Sequence, residues 1–331
     1  MAETVNIGEI AEKLIDDIFS YFFWEIKPRT NENFECHCSH HQTPSGDPKS
    51  QHPCDLIFHY QDPYLGSTIY LHTDLKSYAK ESITKNKIRD AFKSLGMTIE
   101  CARQSQSWCD TFSIDTSEEY EVRGLLFVHN HDHEYRATFS NLIEKVGFDS
   151  IPIPENVCLH WLGPDDILRM VSIGNDIMRL VAQKKISSEY SFYYPDLVMR
   201  HRQGDVWAQP ATVEALTSPY VIIQHKGSTD NPQVGYVVYY NRTGASSAEF
   251  EYFLDSLSRY QMLESNKTVQ IRVTARDPHK NLVANFNAAK EKYARVWGFD
   301  PIREQVLGDI KITTIPAMVD GYSPGWMGWR E

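Results

Sequence analysis

The stretch His52-Pro53-Cys54-Asp55-Leu56-Ile57-Phe58-His59-Tyr60, the link Gln61-Asp62-Pro63-Tyr64-Leu65-Gly66-Ser67, and the run Thr68-Ile69-Tyr70-Leu71-His72-Thr73-Asp74-Leu75-Lys76-Ser77-Tyr78 together decide the fold. Both runs are rich in aromatic and β-branched residues, and the link between them carries Asp-Pro and Gly, which are turn formers. The pattern predicts a β-hairpin with strands over 54–60 and 68–78. Side chains alternate along a strand, so Tyr70, His72, Asp74 and Lys76 share one face while Ile69, Leu71, Thr73 and Leu75 share the other. In the natural hairpin register Asp55 lies near Asp74, giving two carboxylates and one ammonium within a few ångströms. Neighbouring carboxylates repel, and a hard cation with oxygen ligands, Mg2+ or Mn2+, relieves that repulsion. A cation of this kind beside a lysine suits phosphodiester hydrolysis, in which the metal polarises a phosphoryl oxygen and the lysine orients water or stabilises developing charge.

On the N-terminal side of the hairpin, Ile7, Ile10, Ala11, Leu14, Ile15, Ile18, Phe19 and Phe22 recur at the helical period. Residues 29–53 are polar and rich in turn formers and read as an irregular connection. On the C-terminal side a helix is expected over 82–103, a buried central strand over 122–129 and a further helix over 138–146. The proline-rich stretch 149–164 reads as the boundary between two domains, 1–150 and 151–331. The second half alternates strand-like runs (190–199, 220–226, 235–241, 269–275, 310–315) with helical patterns (164–185, 248–263, 281–297), which makes it another α/β unit. No sequence repeat of fixed period is present.

The order helix, strand with Asp, hairpin, strand with Asp-x-Lys, helix, strand resembles the core of the PD-(D/E)xK phosphodiesterase superfamily of restriction endonuclease-like nucleases. Pro53-Cys54-Asp55 stands where that family has Pro-Asp, with one residue inserted, and Asp74-Leu75-Lys76 stands where it has (Asp/Glu)-x-Lys. The resemblance covers roughly residues 5–145. It implies an α/β, restriction endonuclease-like fold with Asp55, Asp74 and Lys76 as catalytic residues. It also implies a glutamate on the first helix, for which Gly8-Glu9-Ile10-Ala11-Glu12 offers Glu9 and Glu12. Glu12 is favoured as the catalytic one; Asp55, Asp74 and Glu12 or Glu9 would then ligate Mg2+.

Other constellations compete. Cys36-His37-Cys38-Ser39-His40-His41, with His52 and Cys54 further on, supplies enough thiols and imidazoles for tetrahedral Zn2+, and Cys36, Cys38, His40 and His52 are the candidate ligands. The alternative is a polar loop beside the active-site strand. Pro195-Asp196 with Gln224-His225-Lys226 offers a near-match in the second half, either a true site or a decayed copy. Arg272, Arg276 and Lys280 suggest an anion site at a helix N-terminus. There is no glycine-rich phosphate loop of nucleotide-driven motors.

The 331 residues carry 33 Lys+Arg against 44 Asp+Glu, a net charge of -11, which disfavours indiscriminate binding to nucleic acid or anionic membrane while allowing a local basic groove. Residues Lys85, Lys87, Arg89 and Lys93, just beyond the hairpin, would supply one. No apolar run suggests a membrane helix, the N-terminus lacks a secretory pattern, and six cysteines are few for a disulfide scaffold, so a cytoplasmic protein is expected. The expectation is a Mg2+-dependent endonuclease acting on DNA in preference to RNA, in bacterial defence or DNA repair. Its C-terminal domain would select substrate, sense a ligand, or bind a protein partner or a second copy. The alternative from another class is a noncatalytic, zinc-stabilised module that binds nucleic acid or protein.

Overall fold

In the computed structural model, which describes residues 18–195, 207, 209–227, 234–263, 267–296, 298 and 300–315, the hairpin closes at Asp62. Its Oδ1 accepts hydrogen bonds from the backbone N–H of Tyr64 (2.8 Å) and Leu65 (3.0 Å), and Gly66 follows with φ +72°, a conformation that costs a residue with a Cβ. Strands β4 (Leu56–Gln61) and β5 (Thr68–Tyr78) pair antiparallel from that turn, with Leu56 opposite Thr73. The hairpin expectation holds to within two residues.

The hairpin sits inside a five-stranded sheet. β1 (Glu25–Ile26) pairs antiparallel with β4, while β6 (Tyr120–Asn130) runs parallel to β5 and β7 (Leu159–Leu162) parallel to β6, for the order β1-β4-β5-β6-β7. Parallel neighbours require a crossover, and helix α1 (Lys85–Ala102) supplies it between β5 and β6. Thr84 caps it by accepting from Lys87 N–H, and Ile88, Ala91, Phe92, Leu95, Ile99 and Ala102 recur at the helical spacing and are buried. Each of the larger of these contributes roughly 1.5–3 kcal/mol of apolar burial. A second helix, α2 (Gln106–Phe112), is capped by Ser105 and buries Trp108; a break at Gln104 and Ser105 hid it from the periodicity. Helix α3 (Phe139–Ile143) packs Phe139 and Ile143 into the same core. The opposite face of the sheet is aromatic, with Phe19 in ring contact with Trp24, Phe58 and Phe127.

Two expectations need correction. Residues 29–53 are not wholly irregular, because β2 (Glu32–Glu35) and β3 (Gln51–Cys54) form an antiparallel arm in which buried Phe34 faces buried His52. The charged residues that disguised β2, Glu32 and Glu35, are exposed, and Phe34 alone of its four residues is buried. The proline-rich stretch 149–164 is not a plain linker either, since it holds β7, and a division into two compact units falls later, between Leu168 and Arg169. Of the first predicted helix, residues before 18 lie outside the described residues, and Phe19–Phe22 form one 3-10 turn.

The second unit repeats the strand plan of the first. Its sheet has the order β12-β11-β10-β9-β8, where β8 is Tyr190–Phe192, β9 Tyr220–His225, β10 Gly235–Tyr240, β11 Thr268–Val273 and β12 Lys311–Thr314. Read from β8 the pairings are antiparallel, antiparallel, parallel, parallel, the same succession as from β1. Helix α4 (Pro164–Ala182) precedes β8, the short α5 (Val213–Thr217) precedes β9, α6 (Ser247–Arg259) crosses from β10 to β11, and α7 (Leu282–Val296) and α8 (Pro301–Asp309) lead to β12. Arg272, a candidate anion ligand by sequence, is instead buried and committed to Asp176 of α4 through Nε (2.9 Å) and Nη2 (2.5 Å). No helix among the described residues is long and apolar enough to cross a membrane.

Gly124 of β6 lies close under α1 and beside Leu159 of β7. A Cβ there would lie 2.5 Å from Leu159 Cδ2 and 2.9 Å from Ile99 Cγ1, so Gly124→Ala is expected to cost about 1–3 kcal/mol, read as a lowered midpoint in urea denaturation.

Candidate active site and Cys-His cluster

Asp55 occupies the kink between β3 and β4, one residue before the Leu56–Thr73 pair, and therefore meets the strand position of Asp74. Its Oδ2 accepts the backbone N–H of Leu75 at 2.6 Å. Three further bonds fix this kink. Trp108 Nε1–H donates to His72 Nδ1 at 3.2 Å, which leaves His72 Nε2–H to donate to the Pro53 carbonyl at 3.2 Å, and the Cys54 thiol reaches the Leu56 carbonyl at 3.4 Å. Burial pulls His72 down to about 4, so the ring is neutral and can bridge in this way.

Asp74 and Lys76 are two residues apart on β5, on the face packed by α1, and Lys76 Nζ lies 2.5 Å from Asp74 Oδ1. Burial works against the Lys76 charge, but Asp74 and Asp55 together outweigh it and hold the ammonium above its ordinary value. Asp55 moves the other way. Burial, then the Asp74 charge, raise it from 3.8 to about 6 against the pull of the Leu75 N–H and Lys76. A carboxylate pair of which one member resists ionisation, opened on one side by partial exposure, fits a hard divalent cation, whose charge would reverse that penalty. The structure brings Asp55, Asp74 and Lys76 together; Glu9 and Glu12 lie outside the described residues. Sequence reading missed Lys49, which is half-buried within electrostatic reach of Asp74.

The Cys/His-rich segment forms a separate cluster. Cys36, His41, His52 and Cys101 offer ligand atoms that all lie within 4.8 Å of one another, and a neighbouring group joins Cys38, His40, His41 and Glu100. Of the sequence candidates, Cys36 and His52 meet in the first group, while Cys38 and exposed His40 belong to the second. His41 and Cys101 take their places. Cys101 escaped notice because it lies on α1, 65 residues from Cys36.

Other motifs have ordinary structural roles. Asp132 accepts from Asn130 Nδ2 and from the backbone N–H of Lys80 and Glu134, which ties the histidine-rich turn after β6 to the loop after β5. In the second half, Asp196 lies outside the described residues, and Lys226 pairs with Glu189 at 2.5 Å on the surface. At the hairpin end corresponding to Asp55 and Asp74, the second sheet has Tyr220 opposite Tyr240, with rings stacked at 5.6 Å, followed by Arg242.

No curated protein and no solved structure matches the chain. A family model does match: described as GAPS4 protein PD-(D/E)XK nuclease domain, it spans residues 1–166, the half of the chain that carries Asp55, Asp74 and Lys76 on a restriction endonuclease-like sheet, and the chain belongs to that family.

Proposed function

We propose that this nuclease domain hydrolyses phosphodiester bonds of DNA, with RNA as the less favoured substrate, in a Mg2+- or Mn2+-dependent reaction centred on Asp55, Asp74 and Lys76. The observation that carries the reading is the convergence of a penalised carboxylate, a second carboxylate and a protonated lysine at one end of a buried hairpin. Asp55 and Asp74 lend oxygen donors, and Glu12 or Glu9 would complete the set. When bound, the cation supplies charge neutralisation at the scissile phosphate and makes a bound water more acidic. Lys76 keeps its proton, and its N–H groups orient the attacking water or bond a non-bridging oxygen as charge develops there. The Cys-His cluster takes no part in this chemistry, because thiolates and imidazoles are the wrong donors for a hard cation.

The second unit serves substrate selection, ligand sensing or partner binding rather than cleavage. Support comes from the Tyr220–Tyr240 stack, which stands where the first unit has its carboxylates. Six free cysteines agree with a reducing cytoplasmic setting. Defence against foreign DNA or DNA repair is the setting we favour on superfamily grounds alone.

Cleavage assays with Mg2+ or Mn2+ on single-stranded, double-stranded and branched DNA, and on RNA, test the reading. Asp74→Ala and Lys76→Ala are each expected to reduce cleavage by on the order of 100-fold or more, with Lys76→Ala retaining metal binding. Full metal-dependent cleavage by both variants would overturn the site. Metal-dependent cleavage by neither the wild type nor any variant would favour the noncatalytic module.

Asp55 also makes stability depend on pH. Its raised pKa favours the folded state while the group is protonated, a contribution complete below about pH 4 and lost as pH rises through about 6. In metal-free buffer at neutral pH, Asp55→Asn is therefore expected to be more stable than the wild type by on the order of 2 kcal/mol, with the difference vanishing towards pH 4. Paired urea titrations across that range measure it, and a difference independent of pH would show that Asp55 is not strained by its surroundings.

A further inference from the structure

Hydrogen-bond accounting in the Cys-His cluster leaves two lone pairs aimed at one another. Thr98 Oγ1 donates its only hydrogen to the Ser94 carbonyl at 3.0 Å, so at its 3.0 Å contact with His52 it accepts from Nδ1–H, and His52 Nε2 carries a lone pair. His41 Nε2 faces the Glu100 carboxylate at 3.0 Å and must donate to it, so Nδ1 of His41 is a lone pair in the neutral ring. These two nitrogens are 3.3 Å apart. With both rings in the neutral form neither has a hydrogen for the other, and both are buried, with relative exposures of 1% and 0%. A protein does not ordinarily aim two buried acceptors at each other without a cation between them.

Two sulfurs complete the arrangement. Cys36 Sγ and Cys101 Sγ each lie 3.4 Å from His41 Nδ1 and 3.7 Å from one another. The sulfur separation is far beyond a disulfide bond of about 2.05 Å. A regular tetrahedron with zinc–sulfur bonds of about 2.3 Å and zinc–nitrogen bonds of about 2.05 Å has edges of about 3.8 Å (S to S), 3.55 Å (S to N) and 3.35 Å (N to N). The four measured edges match these within about 0.2 Å, and the two from His52 to the sulfurs are under 4.8 Å. Two thiolates and two neutral imidazoles cancel the charge of Zn2+, which suits a buried position. The Glu100 and Thr98 contacts are the outer hydrogen bonds that orient metal-bound imidazoles.

We propose that Cys36, His41, His52 and Cys101 bind one Zn2+ in a closed tetrahedral site that clasps the β2–β3 arm to helix α1. With four protein ligands no position is left for substrate, so the metal is structural. Its position explains its use. Cys36 follows β2, His41 lies in the loop beyond, His52 is on β3 three residues before Asp55, and Cys101 is in the last turn of α1. The clasp holds β3, and with it the Pro53 carbonyl and Asp55, at a fixed height against the hairpin. Cys38 and His40 are not ligands; exposed His40 shares the Glu100 carboxylate from outside, 3.3 Å away.

The full chain, purified without chelators or a histidine tag and supplied with Zn2+, is expected to retain about one zinc per chain after dialysis, as a structural site requires. X-ray absorption should show two sulfur and two nitrogen neighbours, and Co2+ in its place should give the intense visible bands of tetrahedral cobalt with a thiolate charge-transfer band. Cys101→Ser and His41→Ala should lower retained zinc at least fivefold, whereas Cys38→Ser and His40→Ala should leave it unchanged. Failure of wild-type folded protein to retain zinc overturns the proposal, as does a coordination shell without sulfur, or loss on Cys38→Ser with none on Cys101→Ser. The wild-type spectra decide the matter even where a ligand variant does not fold. None of these readouts uses cleavage, so their outcome is separate from that of the nuclease reading.

Discussion

Strand β5 pairs with β6 in parallel along its whole length, Thr68 opposite Tyr120 through Tyr78 opposite Asn130, and with β4 antiparallel along its first half. The strands on either side cover its edges, and packing buries Ile69 to Thr73 on both faces, so a charged residue just beyond them is compensated locally. Asp74 and Lys76 compensate each other, and β4 begins one residue after Asp55, at the point where β5 turns from fully buried to half-exposed. The chemistry of the site follows from this single placement. A carboxylate pair between Ile69 and Thr73 would be buried with no open side for a cation.

The surroundings of Asp55 hold it in place and at the same time work against its charge. Asp55 is held by the Leu75 N–H, by the His72 bridge to the Pro53 carbonyl and by the buried Trp108 behind that bridge. These contacts keep in place a group whose ionisation the surroundings penalise. Groups perturbed in this way cluster at functional sites. The Cys-His cluster lies at the other end of the same short strand, so both ends of β3 are tied down, one to α1 and one to the hairpin.

The two units show that one strand order can carry very different side chains at the same place. Both sheets have the succession antiparallel, antiparallel, parallel, parallel, with a helix crossing between the first parallel pair. In the first, the hairpin end carries two carboxylates and an ammonium. In the second it carries stacked Tyr220 and Tyr240, with the Tyr240 hydroxyl donating to Glu249 on α6. A stacked aromatic pair needs no cation to be stable. A fold is a scaffold for a site, and the site is written in a few side chains.

The sequence by itself determined the hairpin, because period-2 alternation and the Asp-Pro and Gly of its turn are local signals, and with the hairpin it determined that Asp55, Asp74 and Lys76 would meet. Helix α1 and the central strand β6 were legible for the same reason, the first through its apolar spacing and the second through an unbroken apolar run. Exposed Glu32 and Glu35 concealed β2, and prolines on either side made β7 look like a linker. Only the tertiary structure brought Cys101 to Cys36 and His41, because a helix returning across a sheet leaves no short-range trace of where its last turn will land. The repeated strand plan was equally invisible, since backbone pairing depends on hydrogen bonds common to every residue and can recur with no repeated side chain to record it.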